Sequence, residues 1–258
     1  MTNNKVKKPI GIPDFVTAIN NCDKANNYSL EKKMKFMHYI IFLDSGNGRT
    51  VASEYAVNKF MHNNIVNFSG TEDCIEYKLD GTLSQLKSIV GDIRSRAVYA
   101  NYFEGVIAMD ITKLASCVHE SQIDCFFNMF DEFKEHAAFL FFIPCLSTKN
   151  IEILVKKIKK HYSGINVIPP HLFTLSELAE IAERNISEHG IRIEAPKETH
   201  ENMLALMSLH KINKVKDAVS VSETVMEYVD FNESPPVLTS ENLKKLITNN
   251  VTVKGEKL

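Results

Sequence analysis

Short continuous apolar runs alternate along this chain with stretches whose apolar residues recur every three or four positions. The first kind predicts buried strands and the second amphipathic helices. Asp14 opens a helical pattern with Phe15 and Ile19, which breaks at Asn26 and Asn27. Ser29, Glu31 and Lys32 start a short helix that runs into Tyr39, Ile40, Ile41, Phe42 and Leu43. That run is β-branched and aromatic and is followed by Gly46 and Gly48, so it reads as a buried strand. Val51, Tyr55, Ala56, Phe60 and Met61 then repeat at helical spacing. The first unit is therefore strand, glycine-rich turn, helix. The alternation continues with weaker strands at 65–68 and 75–79, a helix over 83–99 and a strand over 105–110. A phenylalanine-rich helix over 121–136, a strand over 138–143, a helix over 151–161 and a short strand over 165–168 complete the series. Continuous apolar strands alternating with helices call for an α/β fold, a parallel sheet flanked by helices on both faces.

After Pro169 and Pro170 the strands stop, and the spacing predicts helices over 176–189, 198–209 and 215–228. Ser176, with Glu177 and Leu178 behind it, is the expected N-terminal cap of the first. These helices make a small lid-like domain. Pro235 and Pro236 mark a further break, and the mostly polar stretch beyond them, with Leu243, Leu246 and Ile247 among its apolar residues, reads as a flexible tail. The expected organisation is a lead-in with a short helix over 1–27, an α/β domain over 28–170, a helical domain over 171–231 and a tail over 232–258.

Composition narrows the function classes. With 258 residues, 44% hydrophobic and 24% charged, the chain is an ordinary globular one with room for one large domain or two small ones. Lys+Arg 30 against Asp+Glu 32 gives no general attraction to nucleic acid or to an anionic membrane. Cys22, Cys74, Cys117, Cys125 and Cys145 are odd in number and never two residues apart, which argues against a disulfide framework or a zinc ribbon. The longest apolar run, 137–143, is far short of the roughly 20 residues that span a bilayer. No apolar stretch follows the basic start, so no signal peptide is expected. The expectation is a cytoplasmic protein without membrane contact.

The informative segment is Leu43, Asp44, Ser45, Gly46, Asn47, Gly48, Arg49 and Thr50, between a buried strand and a helix. A P-loop binds phosphate at such a junction. Turn amides and the helix N-terminus face the anion, a Lys neutralises the outer phosphates, and Ser/Thr holds magnesium. Gly48 and Thr50 fit the pattern, but Leu43 stands where its first Gly belongs and Arg49 stands for the Lys. As a bare pattern the match fails, and by itself the segment reads better as a glycine-rich turn capping a helix. Further on, Val106, Ile107, Ala108, Met109 and Asp110 have the Walker B shape, an apolar strand ending in an acid that can hold magnesium through water. The alternative is a core strand whose Asp110 caps the next turn.

Taken in order, residues 38–43, the turn at Gly46–Thr50, the strand at 105–110, the strand at 139–143 and the helices after Pro170 resemble AAA+ ATPases. The closest similarity is to the branch of red-type rubisco activases and related sporulation and type VII secretion ATPases, which the lead-in at 29–32 also resembles. The resemblance covers roughly residues 28–231. It implies a P-loop-type sheet with a helical lid, and a nucleotide site made by Ser45, Gly46, Asn47, Gly48, Arg49, Thr50 and Asp110. It also implies ATP or ADP as the ligand, with magnesium on Thr50 and Asp110 whenever nucleotide binds. The departures fall on the chemistry. The acid expected after Asp110 is Ile111, and the branch's loop proline is Ser45. No arginine occurs at 161–164, where the family carries residues that reach a neighbour's nucleotide, and only lysines occur near Asn213–Lys216. The resemblance thus implies a non-catalytic protein that contacts other proteins, either as a homo-oligomer or beside an active AAA+ relative. A weak ATP-binding switch and an unrelated α/β module that binds a different anion are the rival readings.

Other candidates carry less. His119-Glu120 and His200-Glu201 are each half of a zinc-protease motif, but the closing positions are Ile123 and Leu204. Lys156, Lys157, Lys159 and Lys160 form a basic helix face, read first as solvated and second as a site for an acidic partner. The G-x-S-x-G nucleophile pattern is absent.

Overall fold

A computed structural model of the chain describes residues 8–28, 38–62, 74–78, 88, 91, 105–112, 114, 120–134, 137–146, 148–229, 231 and 234–249. The strand expected at 65–68, the lead-in helix at 29–32 and most of the helix at 83–99 lie outside them. By contacts the chain divides into two compact units, one of residues 1–45 and 49–171, the other of residues 46–48 and 172–258.

The first unit is built on a five-stranded parallel sheet. In chain order its elements are α1 (Pro13–Tyr28), β1 (Tyr39–Phe42), α2 (Arg49–His62), β2 (Cys74–Lys78) and β3 (Gly105–Asp110), then α3 (Glu120–Asn128), β4 (Ala137–Ile143), α4 (Lys149–His161) and β5 (Asn166–Ile168). The strand order is β2-β3-β4-β1-β5. The expected α/β class with a parallel sheet is therefore the observed one. β1 lies between β4 and β5, with Phe42 beside Ile143 and Ile41 beside Ile168, and β3 lies on the other side of β4, with Asp110 beside Phe142. The carboxyl ends of β1, β3 and β4 are thus level, the edge at which open α/β sheets place their ligands.

The phenylalanines expected on the helix over 121–136 make the core on one sheet face. Phe126, Phe127, Phe130 and Phe133 pack with Phe139 and Phe141 of β4 and with Ile151, Leu154 and Ile158 of α4. The expected helix is split, because α3 ends at Asn128 and a short 3-10 turn follows over Asp131–Phe133. Phe130 and Phe133 are buried in the core on either side of that break. Tyr162 closes this cluster, edge-on to Phe141 with ring centroids 5.1 Å apart. Burial pushes its phenol pKa up, and the charge of Asp131 adds to the shift. On the opposite surface of α4, Lys156, Lys159 and Lys160 are exposed, while Lys157 donates to Asp124 at 2.6 Å.

The second unit holds α5 (Leu175–Glu188), β6 (Arg192–Ile193), α6 (Pro196–Leu209), α7 (Val215–Met226), β7 (Val237–Leu238) and α8 (Ser240–Thr248). Three expectations need revision here. The cap of α5 is Thr174, not Ser176: its hydroxyl accepts from the Glu177 N–H while Glu177 returns a carboxylate to the Thr174 N–H, a capping box. Strands do not stop at Pro170, because Arg192 and Ile193 pair in parallel with Val237 and Leu238. The segment read as a flexible tail carries β7 and α8, and Leu243 and Leu246 of α8 are buried in the unit's core with Leu178, Ile186, Met203 and Val221. Leu246 and Ile247 follow Leu243 by three and four positions, so one face of α8 gathers all three.

Candidate functional site

The junction that the sequence singles out begins at the end of β1. Leu43 extends the strand by donating its N–H to Ile143 O at 2.9 Å, and its side chain is fully buried. Asp44 turns aside to accept the N–H of Cys145 at 3.0 Å. Burial raises the Cys145 thiol pKa, and the neighbouring Asp44 charge raises it further. Helix α2 then starts at Arg49.

The side chain of Arg49 folds back across the sheet end. Its Nε and Nη2 both donate to the carbonyl of Leu43, at 2.8 and 2.6 Å, and its Nη1 is ion-paired with Asp110 Oδ2. Asp110 ends β3, two strands from β1, and each strand step is about 4.8 Å. Arginine is long enough to cover that span, and its planar fork can grip two acceptors at once. The other oxygen of Asp110 accepts the Thr112 N–H at 3.1 Å. The Arg49 side chain is 13% exposed and that of Asp110 25%, so the pair is poorly screened by solvent. The Phe142 ring lies beneath the guanidinium, 5.7 Å from its carbon.

Ile111 follows Asp110 and faces the core, fully buried, with its N–H donated to Phe142 O at 3.1 Å. An aliphatic side chain held there can neither accept a proton nor orient water. At the end of α4, where the sequence offers no arginine, His161 Nε2 meets Asp124 Oδ1 at 3.3 Å. The bond that Asp124 accepts from Lys157 dominates in holding its carboxyl pKa below the usual range.

Gly46, Asn47 and Gly48 group with the second unit. Gly46 and Gly48 have φ of 86° and 89°, a region that non-glycine residues rarely adopt. Helix α7 lacks a side-chain cap at Lys214. Its first amides bond to these turn residues instead, Val215 N–H to Asn47 Oδ1 at 3.2 Å and Lys216 N–H to Gly46 O at 2.9 Å. A Cβ added at Gly46 would come within 3.3 Å of the Lys216 Cβ, so the close approach also calls for glycine. Nothing in the sequence marked Asn47 as a cap for a helix so far along the chain.

Of the residues implied by sequence, the structure brings Arg49 and Asp110 together, leaves Ser45 and Thr50 exposed, and engages Gly46 and Asn47 with the start of α7. A magnesium ion fits Asp110 poorly in this arrangement, since the Arg49 guanidinium already lies on Oδ2 and two cations at one carboxylate repel. Among the described residues no three His, Cys, Asp or Glu side chains gather as metal ligands, and no helix is long and apolar enough to cross a membrane.

No family model and no curated protein matches the chain. Its architecture does match solved structures. The RuvB Holliday junction branch migration motor of Thermotoga maritima is 12% identical, with a TM-score of 0.58 over 96% of this chain and 72% of that one. A single-residue variant of the same RuvB gives 15% identity and a TM-score of 0.61 over 96% and 73%. The ORC2 protein of Aeropyrum pernix in its ADP form is 11% identical, with a TM-score of 0.57 over 95% and 70%. The fold is that of the AAA+ ATPases. Identities this low speak for the AAA+ fold and not for what RuvB or ORC2 does.

Proposed function

We propose that this chain is a catalytically degenerate AAA+-like protein, a pseudo-ATPase that serves as a structural or regulatory subunit of a protein assembly. The observation that carries this reading is the engagement of Arg49 with Asp110 while the next position is a buried Ile111. Loss of a positioned base alone lowers a rate by roughly 10²–10⁴. Loss of an arginine finger lowers it by roughly 10³–10⁵. Either would bring a slow ATPase to background, while the strands, the turn and the second unit's helices keep the shape on which other proteins can dock. The place within the branch of rubisco activases, sporulation and type VII secretion ATPases rests on the order of sequence elements. Purified protein incubated with Mg-ATP is expected to release no phosphate above background. Turnover that Asp110→Ala abolishes would overturn the reading.

A second reading keeps ATP or ADP as a ligand without turnover. The left-handed glycines Gly46 and Gly48 favour it, as does the likeness to ORC2 solved in its ADP form. In that reading Arg49 supplies the positive charge in place of Lys, and affinity for ATP is on the order of 0.1 mM or weaker, about -5.5 kcal/mol at most. Titration calorimetry that gave sub-micromolar affinity would promote this reading over the first.

A further inference from the structure

The two charged groups that a P-loop site divides between phosphate and metal are, in this chain, spent on one another. We infer that Arg49 is a built-in counter-ion that holds Asp110 against divalent metal, so that any phosphate group taken up beside it binds without magnesium. The inference deepens the reading of Arg49 and Asp110 as the remnant of a P-loop site and rests on it.

Three features of the geometry carry the inference. Arg49 is gripped from behind as well as in front: Nε and Nη2 share the Leu43 carbonyl, fixed at the end of β1, while Nη1 lies on Asp110 at the end of β3. A lysine offers one compact ammonium in place of this planar fork, so it cannot reproduce the paired Nε and Nη2 grip on Leu43 together with Nη1 on Asp110. Both oxygens of Asp110 are engaged within the protein, Oδ1 by the Thr112 N–H and Oδ2 by the cationic Arg49. The pair is also largely withdrawn from water, with 13% of the Arg49 side chain exposed, so its attraction is not screened away.

Magnesium demands a near-octahedral shell of oxygens and gives up its waters reluctantly. To be held by Asp110, directly or through one of its waters, it must displace the guanidinium or lie beside it, where two cations at one carboxylate repel. A guanidinium has five N–H donors, and those not spent on Leu43 and Asp110 remain available to an anionic oxygen. Phosphate recognition here is therefore by arginine donors, with the metal's place already filled by the protein.

The test is calorimetric titration of the full chain with ADP, in EDTA and again in magnesium, for the wild type, Arg49→Lys, and Arg49→Lys combined with Asp110→Asn. The wild-type titrations are expected to superimpose in the two buffers. Arg49→Lys is expected to gain magnesium dependence, with ADP bound roughly tenfold tighter or more in the presence of metal. Asp110→Asn in that background should remove the gain. Magnesium-dependent ADP binding by the wild type overturns the inference. So does an Arg49→Lys protein, shown folded by its thermal melt, that stays indifferent to magnesium. If Arg49→Lys does not fold, Arg49→Gln, which keeps an amide donor for the Leu43 carbonyl and removes the charge, is judged by the same criterion. The underlying reading fails separately: ATP turnover by the wild type sinks the non-catalytic role, whereas metal-dependent binding sinks the counter-ion.

Discussion

Arg49 and Asp110, far apart in the chain, meet as an ion pair at the level ends of β1 and β3, with the Leu43 carbonyl fixing the arginine from the other side. The pair spans β4 and so ties the two strands together across their common neighbour. Its contribution to stability follows from its limited exposure.

Arg49→Ala strips Asp110 Oδ2 and the Leu43 carbonyl of their charged donor at once. Charge-assisted bonds of this kind are worth about 1.5–3 kcal/mol, and a loss of that size is expected in urea unfolding of the variant. A change within a few tenths of a kcal/mol would mean that the contact is solvent-exchanged and contributes nothing.

A pH effect is expected from the helix pair α5 and α6. His200 Nδ1 lies 2.9 Å from Glu183 Oε1, and its Nε2 lies 3.3 Å from the Ser176 hydroxyl. Burial raises the Glu183 pKa above the usual glutamate range, Glu180 adds to the rise, and the His200 contact works against it. A carboxyl raised in the folded state binds protons more readily there than when unfolded. Stability therefore falls as pH climbs from the usual glutamate value through the raised one. Glu183→Gln removes that slope while keeping an acceptor for His200. Unfolding curves over this pH window should diverge between wild type and variant, and parallel curves would count against the assignment.

The helix α8 should act as core. Leu243 is fully buried among residues of the second unit, and leucine-to-alanine changes at such sites cost about 2–5 kcal/mol. Leu243→Ala should lower the thermal midpoint, whereas Lys245→Ala, at an exposed position on the same helix, should not. Equal effects would return this segment to the status of a tail.

Assembly is expected as well. Closed symmetry is the common form of soluble homo-oligomers, and the proposed non-catalytic role is one of contact between proteins. Light scattering over a concentration series, with and without an active AAA+ protein co-expressed, should reveal a homo-oligomer or a mixed complex. A monomer at every concentration that captures no partner is the opposite outcome.

The sheet was legible in the sequence because buried parallel strands are continuous apolar runs. Tyr39–Phe42, Gly105–Asp110 and Ala137–Ile143 could be placed within a residue or so by that signal alone. The same local reading marked Asp110 as the acid of a motif and Arg49 and Ile111 as departures from one, since each stands at a fixed spacing. It placed β7 and α8 in a flexible tail, because a few apolar residues scattered among many polar ones look like a solvated segment until they dock on a core. It chose Ser176 over Thr174 as a cap, because both are hydroxyl residues near a helix start and only the backbone turn decides which faces the free amides. The partner of Arg49 was beyond it for a deeper reason. A side chain's sequence neighbours limit its reach, but which acid it finds depends on strand order, and the placing of β4 between β1 and β3 set the distance that arginine fills.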